Sequence, residues 1–334
     1  MRNFGSMGAS RFNPSPAKTR PCLGSRMSLV LATLPVFLVI LCGYGLMVSG
    51  LMPRNHWHSI ETLAFRLLIP AFLVNSVAQA DLSSVAQGAF VPAILITVAL
   101  VAAIVFGLRL VLGASRMPNP VFTSLFQGGV RWNAFVGLTA AEQFMGPEAL
   151  LWLAVAIAVT VPIINVVSIA VLAAYGTARA TVGGVLLRVL RNPIVQGCVV
   201  GLALNLSGLG LPQPIFETLD LIGRAALGIG LLTVGAALTP ARLFQPSIPL
   251  AMAIVLRPVL APVLFVAVAM MLGLPQVPTL AGSLVFAVPA AGNGYIVARQ
   301  LGGDAELYAS ILTWQTLVCL AVLPVLAGAV TAFV

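Results

Sequence analysis

The residues able to do chemistry in this chain sit inside apolar sequence. Between Gln127 and Ser168 they are Gln127, Arg131, Asn133, Thr160, Pro162 and Asn165; between Leu284 and Val325 they are Pro289, Asn293, Arg299 and Gln315. Their chemistry is recognition: amides and hydroxyls exchange hydrogen bonds, guanidinium groups hold anions, and prolines free backbone groups. Polar and helix-breaking residues at membrane depth are costly, because no water satisfies them there. They persist where they line a protein-enclosed cavity or pathway. No HExxH, Walker A, GxSxG or intramembrane carboxylate pair occurs, so the sequence reads as neither an enzyme nor an ATP-driven machine, and it carries no cofactor motif.

The elements that must position these residues are transmembrane helices. Of 334 residues, 60% are hydrophobic and 7% charged, with a mean hydropathy of +1.08. A soluble domain has about 25% charged residues, and about 20 consecutive apolar residues span a bilayer. The apolar runs are continuous rather than alternating, which excludes a β-barrel and defines an all-α membrane protein. The net charge of +9 reads as a topology signal and not as nucleic-acid binding. Cys22, Cys42, Cys198 and Cys319 are far apart and read as packing residues, with no metal-binding pattern.

Ten spans are predicted, at 28–48, 59–79, 89–113, 121–141, 149–172, 193–209, 216–237, 247–273, 278–299 and 305–332. The organisation is a basic tail 1–26, a five-helix repeat 27–173, a basic linker 174–192 and a second repeat 193–334. Ser49-Gly50-Leu51 recurs as Ser207-Gly208-Leu209, Glu61-Thr62 as Glu217-Thr218, Arg66 as Arg224, Gln143 as Gln300 and Gly146 as Gly303, an offset near 157. Five spans per repeat make the second copy inverted, a duplication typical of secondary transporters. Arg54, Arg116, Arg179, Arg188, Arg191, Arg242 and Arg299 fall on one side, and Asp81, Glu142, Glu148, Glu217 and Asp220 on the other. The arginine side is expected to be cytoplasmic, with the linker inside and both termini outside a cell (inner) membrane. Only the tail disagrees, so translation is expected to begin at Met27.

Arg131 lies ten residues past Val121, about 15 Å at about 1.5 Å per residue, the middle of a core about 30 Å thick. Pro289 falls at matching depth in span nine. Pro289 removes a backbone donor, and Gly292 and Gly294 flank Asn293, so a helix break is expected there whose freed groups and half-helix N-terminus suit an anion. A plain proline kink is the alternative. Arg131 has no acidic partner at midplane depth and fits a carboxylate held bidentately; capping of free carbonyls is the alternative for it and for Arg257 in Arg257-Pro258. Arg66, Arg109 and Arg224 lie near helix ends and read as structural. Asn75, Asn133, Asn165 and Asn293 are substrate ligands or interhelical glue, and Gln127 and Thr160 join the candidate ligands. Pro162, three residues before Asn165, is a further candidate break. His56 and His58 flank Trp57 in an expected interfacial turn and make a poor metal site.

These residues resemble the auxin efflux carrier family, which includes the plant PIN carriers and bacterial malate or malonate permeases. The resemblance rests on Gln127-Gly128-Gly129-Val130-Arg131-Trp132-Asn133 with Gly137, on Arg191-Asn192-Pro193-Ile194, and on Ala287-Val288-Pro289, and spans nearly all of 27–334. It implies a ten-helix fold of two inverted repeats whose spans four and nine cross at their breaks. It further implies a scaffold of spans one, two, six and seven, a transport domain moving like an elevator, and homodimerisation through the scaffold. In the plant carriers the span-four break is a Pro-Asn pair beside the substrate carboxylate; here Asn133 keeps the asparagine, Trp132 replaces the proline, and Arg131 points to a substrate more anionic than auxin.

The function expected is secondary or potential-driven transport of small organic anions, mono- or dicarboxylates, around a midplane site. Two rivals stand. A sodium- or proton-coupled importer of another solute on the same fold would show cation-dependent uptake. A membrane sensor would bind its ligand without counterflow.

Overall fold

The computed structural model describes residues 26–79, 88–146, 148–176, 190–208, 211–239 and 246–333, together with Gly183 and Leu187. Residues 1–25 of the basic tail with Cys22, and Asp81, Arg179, Arg188 and Arg242, lie outside the described residues. All described regular structure is helical. Helix α1 is Arg26–Val48, and α2 (Arg54–Leu63) runs through a π-helical turn at Ala64–Leu68 into α3 (Ile69–Ala78). Next come α4 (Phe90–Arg116), α5 (Asn119–Val130), α6 (Ala134–Met145), α7 (Glu148–Tyr175), α8 (Pro193–Ser207) and α9 (Gln213–Ala237). Helix α10 (Ile248–Ile254) passes through a π-helical turn at Val255–Leu260 into α11 (Ala261–Met271), followed by α12 (Gln276–Ala287), α13 (Gly294–Leu301) and α14 (Ala305–Phe333).

Six of these stretches are long and apolar enough to cross a membrane: Asn55–Ala78, Phe90–Arg116, Ala149–Tyr175, Gln213–Ala237, Ile248–Met271 and Ala305–Leu326. The shorter apolar helices include Pro193–Ser207 and Gln276–Ala287.

Local sequence explains most boundaries. Asn192 accepts a hydrogen bond from the Ile194 amide at 2.9 Å and Pro193 opens α8, the favoured cap followed by a residue with no N–H to satisfy. The same helix ends on Gly208 at φ 64°, a left-handed position that glycine tolerates. Each π-helical turn goes with a proline: Pro70, just past the first, leaves the Arg66 carbonyl without its usual donor, and Pro258, inside the second, does so for Ile254. His56, Trp57 and His58 correct an expectation. They lie inside α2, not in a turn, because Pro53 immediately precedes its first turn and the Trp57 indole N–H reaches back to the Met52 carbonyl at 3.0 Å. Pro162 is a second correction. It breaks nothing: α7 runs unbroken through it, held on its flanks by α5, α6 and α12, the support under which membrane helices absorb a proline.

The helices pack as one continuous body, with α1 lying against α6 and α14, α9 against α6, and α3 and α8 against α7. Helix α1 also lies along α9, and α3 packs on both α8 and α9. Helix α12 touches α4, α6, α7, α11 and α14. Helices α1 and α9 approach backbone to backbone at two glycines: a Cβ on Gly43 would meet the Leu232 carbonyl, and one on Gly235 the Ile40 carbonyl. Lipid gives apolar side chains no reason to leave it, so such close packing drives association. Gly228, on the same helix, faces open space. Gly235→Ala is therefore expected to destabilise the protein by about 2 kcal/mol through overpacking, while Gly228→Ala is neutral or stabilising by up to about 1 kcal/mol through helix propensity. Thermal unfolding of the two variants in detergent checks the contrast.

Candidate functional site

Two helices are interrupted, and their breaks touch. The first break, Arg131 to Asn133, separates α5 from α6; the backbone turns extended, with ψ 145° at Arg131 and 103° at Asn133. No proline causes it. The Asn133 side chain accepts from the amides of Phe135 at 3.1 Å and Val136 at 3.3 Å, so it starts a new helix where the old one would have continued. Trp132 folds back over α6, where Gly137 leaves room for its ring, and its indole N–H donates to Thr160 Oγ1 at 3.0 Å. The second break, Val288 to Asn293, separates α12 from α13. The Asn133 amide donates to the Pro289 carbonyl at 2.9 Å, which ties the two breaks together.

Each break leaves a half-helix C-terminus whose last carbonyls have no donor within the helix, while the first amides of α6 are bonded by Asn133 and those of α13 by the turn before it. The carbonyl ends are satisfied by protein. Arg257, fully buried, donates from Nη1 to the Gly129 carbonyl at 2.6 Å, from Nη2 to Val285 at 2.8 Å and from Nε to Val288 at 3.0 Å. Gln315 on α14 donates from Nε2 to the carbonyls of Gly128 at 3.1 Å and Ala253 at 2.9 Å, and its Oε1 accepts from the Ala290 amide at 2.9 Å. Tyr308 donates from its hydroxyl to the Ala291 carbonyl at 2.7 Å. Of the two readings for Arg257, the capping one therefore holds: its fork spans α5 and α12 and leaves no nitrogen over.

Arg131 differs. It is 5% exposed; Nη2 donates to Asn293 Oδ1 at 3.1 Å, but Nε and Nη1 are buried and have no partner among the described residues. No carboxylate partners it either: the ion pair found among the described residues is Arg224 with Asp220, at 2.7 Å. Gln127, one turn before Arg131, is fully buried, and both ends of its amide lack a partner among the described residues. Asn293 is exposed, so the Arg131–Asn293 pair lies at the edge of the packed core.

The structure thus brings Gln127, Arg131, Asn133, Thr160, Pro289 and Asn293 to one crossover, with Gly292 and Gly294 forming the turn into α13. Asn75 is not among them. Its amide lies 3.4 Å from Asp220 Oδ1 and accepts from Gln79 at 2.6 Å, beside a separate cavity of about 290 Å³ between α3 and α9. Asn165 is half-buried on α7, five residues beyond Thr160. Arg299 is exposed at the end of α13. Sequence reasoning noticed Gln315 without assigning it to the site and passed over Tyr308, because a lone polar residue in an apolar helix gives no sign of which backbone it serves. Cys198 and Cys319 are buried, in keeping with packing roles.

Asn133→Ala is expected to lower stability by about 1 kcal/mol through loss of the cap, and Asn133→Ser to restore most of it; chemical unfolding of both variants is the check.

Interrupted helices meeting around buried, incompletely bonded polar groups define a polytopic membrane protein of the transporter class. Residues 177–327 match the family described as membrane transport protein. That match, from the linker through most of α14, supports membership of the auxin efflux carrier-type membrane transport family. No curated protein matches the chain.

Proposed function

We propose that the crossover is the substrate site of a secondary transporter for small organic anions, in which a carboxylate bridges Nε and Nη1 of Arg131. The observation that carries this reading is that guanidinium: buried, bonded to Asn293 through one nitrogen only, and without a carboxylate partner among the described residues. A buried cation with two free donors is costly unless an anion completes it. The division of labour at the breaks supports the same reading. Arg257 and Gln315 quench the negative carbonyl ends, so those ends do not repel an anion.

In this reading the chain is a ten-span protein of two inverted five-helix repeats, 27–173 and 193–334. Helices α1, α3, α8 and α9 form the scaffold and the dimer contact, and the group around α12 carries the site across the membrane as an elevator. The protein works in the cell membrane with its linker inside, and an anion leaving the cell is driven by the membrane potential at about 2.3 kcal/mol per charge per 100 mV. Titration of the purified protein with malonate by calorimetry tests the site: saturable binding that weakens with ionic strength is expected, and no heat from any mono- or dicarboxylate would overturn the proposal.

A further inference from the structure

The cavity between α3 and α9 takes no part in the crossover. It measures about 290 Å³ and is lined by Asn75 and Gln79 at the end of α3 and by Phe216, Glu217, Asp220 and Arg224 in the first half of α9. Three bonds join these residues around it. Arg224 Nε donates to Asp220 Oδ2 at 2.7 Å, Asn75 Nδ2 to the other Asp220 oxygen at 3.4 Å, and Gln79 Nε2 to Asn75 Oδ1 at 2.6 Å. Both helices belong to stretches long and apolar enough to cross a membrane, so the cavity lies against a bilayer and not in bulk water.

Arg224 lies farther from the helix end than the sequence suggested. In the 25-residue α9 it is eleven residues past Gln213, about 16 Å at about 1.5 Å per residue, yet its side chain is 72% exposed. A guanidinium exposed that far into a span is costly unless it reaches a head group. Its bond to Asp220, one turn nearer the helix start, shows it reaching that way. Only Nε is used, and neither Nη has a partner among the described residues. Beside Arg224 the helix is apolar and open: Leu221 and Ala225 are exposed, and Gly228 faces empty space.

From the membrane centre outward, α9 therefore presents a cation and then anions: Arg224, Asp220, Glu217. A phosphatidylethanolamine head group carries the opposite signs in the same order, phosphate inward and ammonium outward. We propose that this cavity is a lipid site holding such a head group. The two free Nη nitrogens of Arg224 take the phosphate as a fork. The three donors of the primary ammonium serve Glu217 and Asp220, with the Phe216 ring offering the cation its face, and an acyl chain runs along Leu221, Ala225 and Gly228. A second copy of the chain fits this end of α9 less well. Copies related by an axis along the membrane normal run in the same direction, which brings Arg224 to the depth of Arg224 and Glu217 to that of Glu217, like charge to like. The inference stands apart from the anion site at the crossover.

Native mass spectrometry of the protein released from bilayer discs of equal parts phosphatidylethanolamine, phosphatidylcholine and phosphatidylglycerol tests it. The ethanolamine lipid is expected to be retained roughly tenfold or more over either of the others, since choline has no N–H to donate and the glycerol head group has no cation, and each forfeits a charge-assisted hydrogen bond. In the double variant Glu217→Gln with Asp220→Asn that preference should fall towards one, and in Arg224→Gln retention of the ethanolamine lipid should fall about tenfold. The Arg224–Asp220 pair is exposed, so its loss costs the fold little. Thermal unfolding with each lipid added gives a second reading, with the ethanolamine lipid raising the midpoint of the wild type more than that of the variants. Equal retention of the three lipids by the wild type would overturn the proposal, as would a preference that survives in the double variant. Displacement of the lipid by free phosphoethanolamine would assign the cavity to a soluble zwitterion instead. Variants that lose a dimer while keeping the wild-type lipid pattern would assign it to a second copy, and either result overturns the lipid site.

Discussion

Arg131→Ala is expected to abolish measurable anion binding and transport while leaving a folded protein. The guanidinium makes one hydrogen bond to the rest of the molecule, to Asn293, and keeps Nε and Nη1 free. Removing it therefore costs the fold little, and relieves a buried charge that the empty protein does not fully compensate. For a bound carboxylate the loss is large. Two charge-assisted hydrogen bonds, each contributing about 1.5–3 kcal/mol, disappear together. About 3 kcal/mol or more corresponds to an affinity lowered at least ~100-fold. Arg131→Lys is expected to recover only part of this, since an ammonium cannot reproduce the planar fork. Calorimetric titration and thermal unfolding of the three proteins separate the two effects: affinity should fall in the order wild type, lysine, alanine, with the melting temperatures close together.

Arg257→Met is expected to do the reverse first. Here all three nitrogens are engaged, with carbonyls on both sides of the crossover. Taking away the side chain strands the Gly129, Val285 and Val288 carbonyls where no water reaches them. A buried group left unpaired costs about 1–3 kcal/mol, so a destabilisation of about 3–5 kcal/mol follows, comparable with breaking a buried ion pair. Transport should then fail because the crossover is no longer held. Thermal unfolding in detergent reads this directly: a much lower midpoint for Arg257→Met beside a near-native one for Arg131→Ala is the expected pattern. Equal midpoints would contradict the separate roles assigned to the two arginines.

Arg131 and Arg257 also show where sequence reading reached its end. Both are lone arginines about ten residues into an apolar span, and composition and spacing treat them alike. Only the folded chain shows that Arg257 faces three carbonyls while Arg131 faces almost none. Pro289 with its glycines announced the second break through backbone chemistry. The first break was less legible because Trp132 stands where a proline would signal it; the interruption depends instead on the Asn133 cap and on Asn133 bonding across to Pro289, a contact between residues 156 positions apart. Pro162 shows the opposite case, a helix breaker overruled by the helices packed around it. Asn75 looked like a site residue for its type, yet the fold gives it to Asp220 on α9 and to Gln79 one turn on. The apolar runs and the Asn192-Pro193 cap, by contrast, were plain in the sequence, because membrane spans and helix starts are local in origin.

The central claim is that this protein moves small organic anions through a site built on Arg131. Counterflow of labelled malonate into liposomes preloaded with the unlabelled acid, run for wild type and Arg131→Ala side by side, tests it most directly. The account predicts accumulation of label by the wild type and none above empty liposomes for the variant. Counterflow that persists in a folded Arg131→Ala protein would contradict the site, and absence of counterflow with any carboxylate by the wild type would contradict the function.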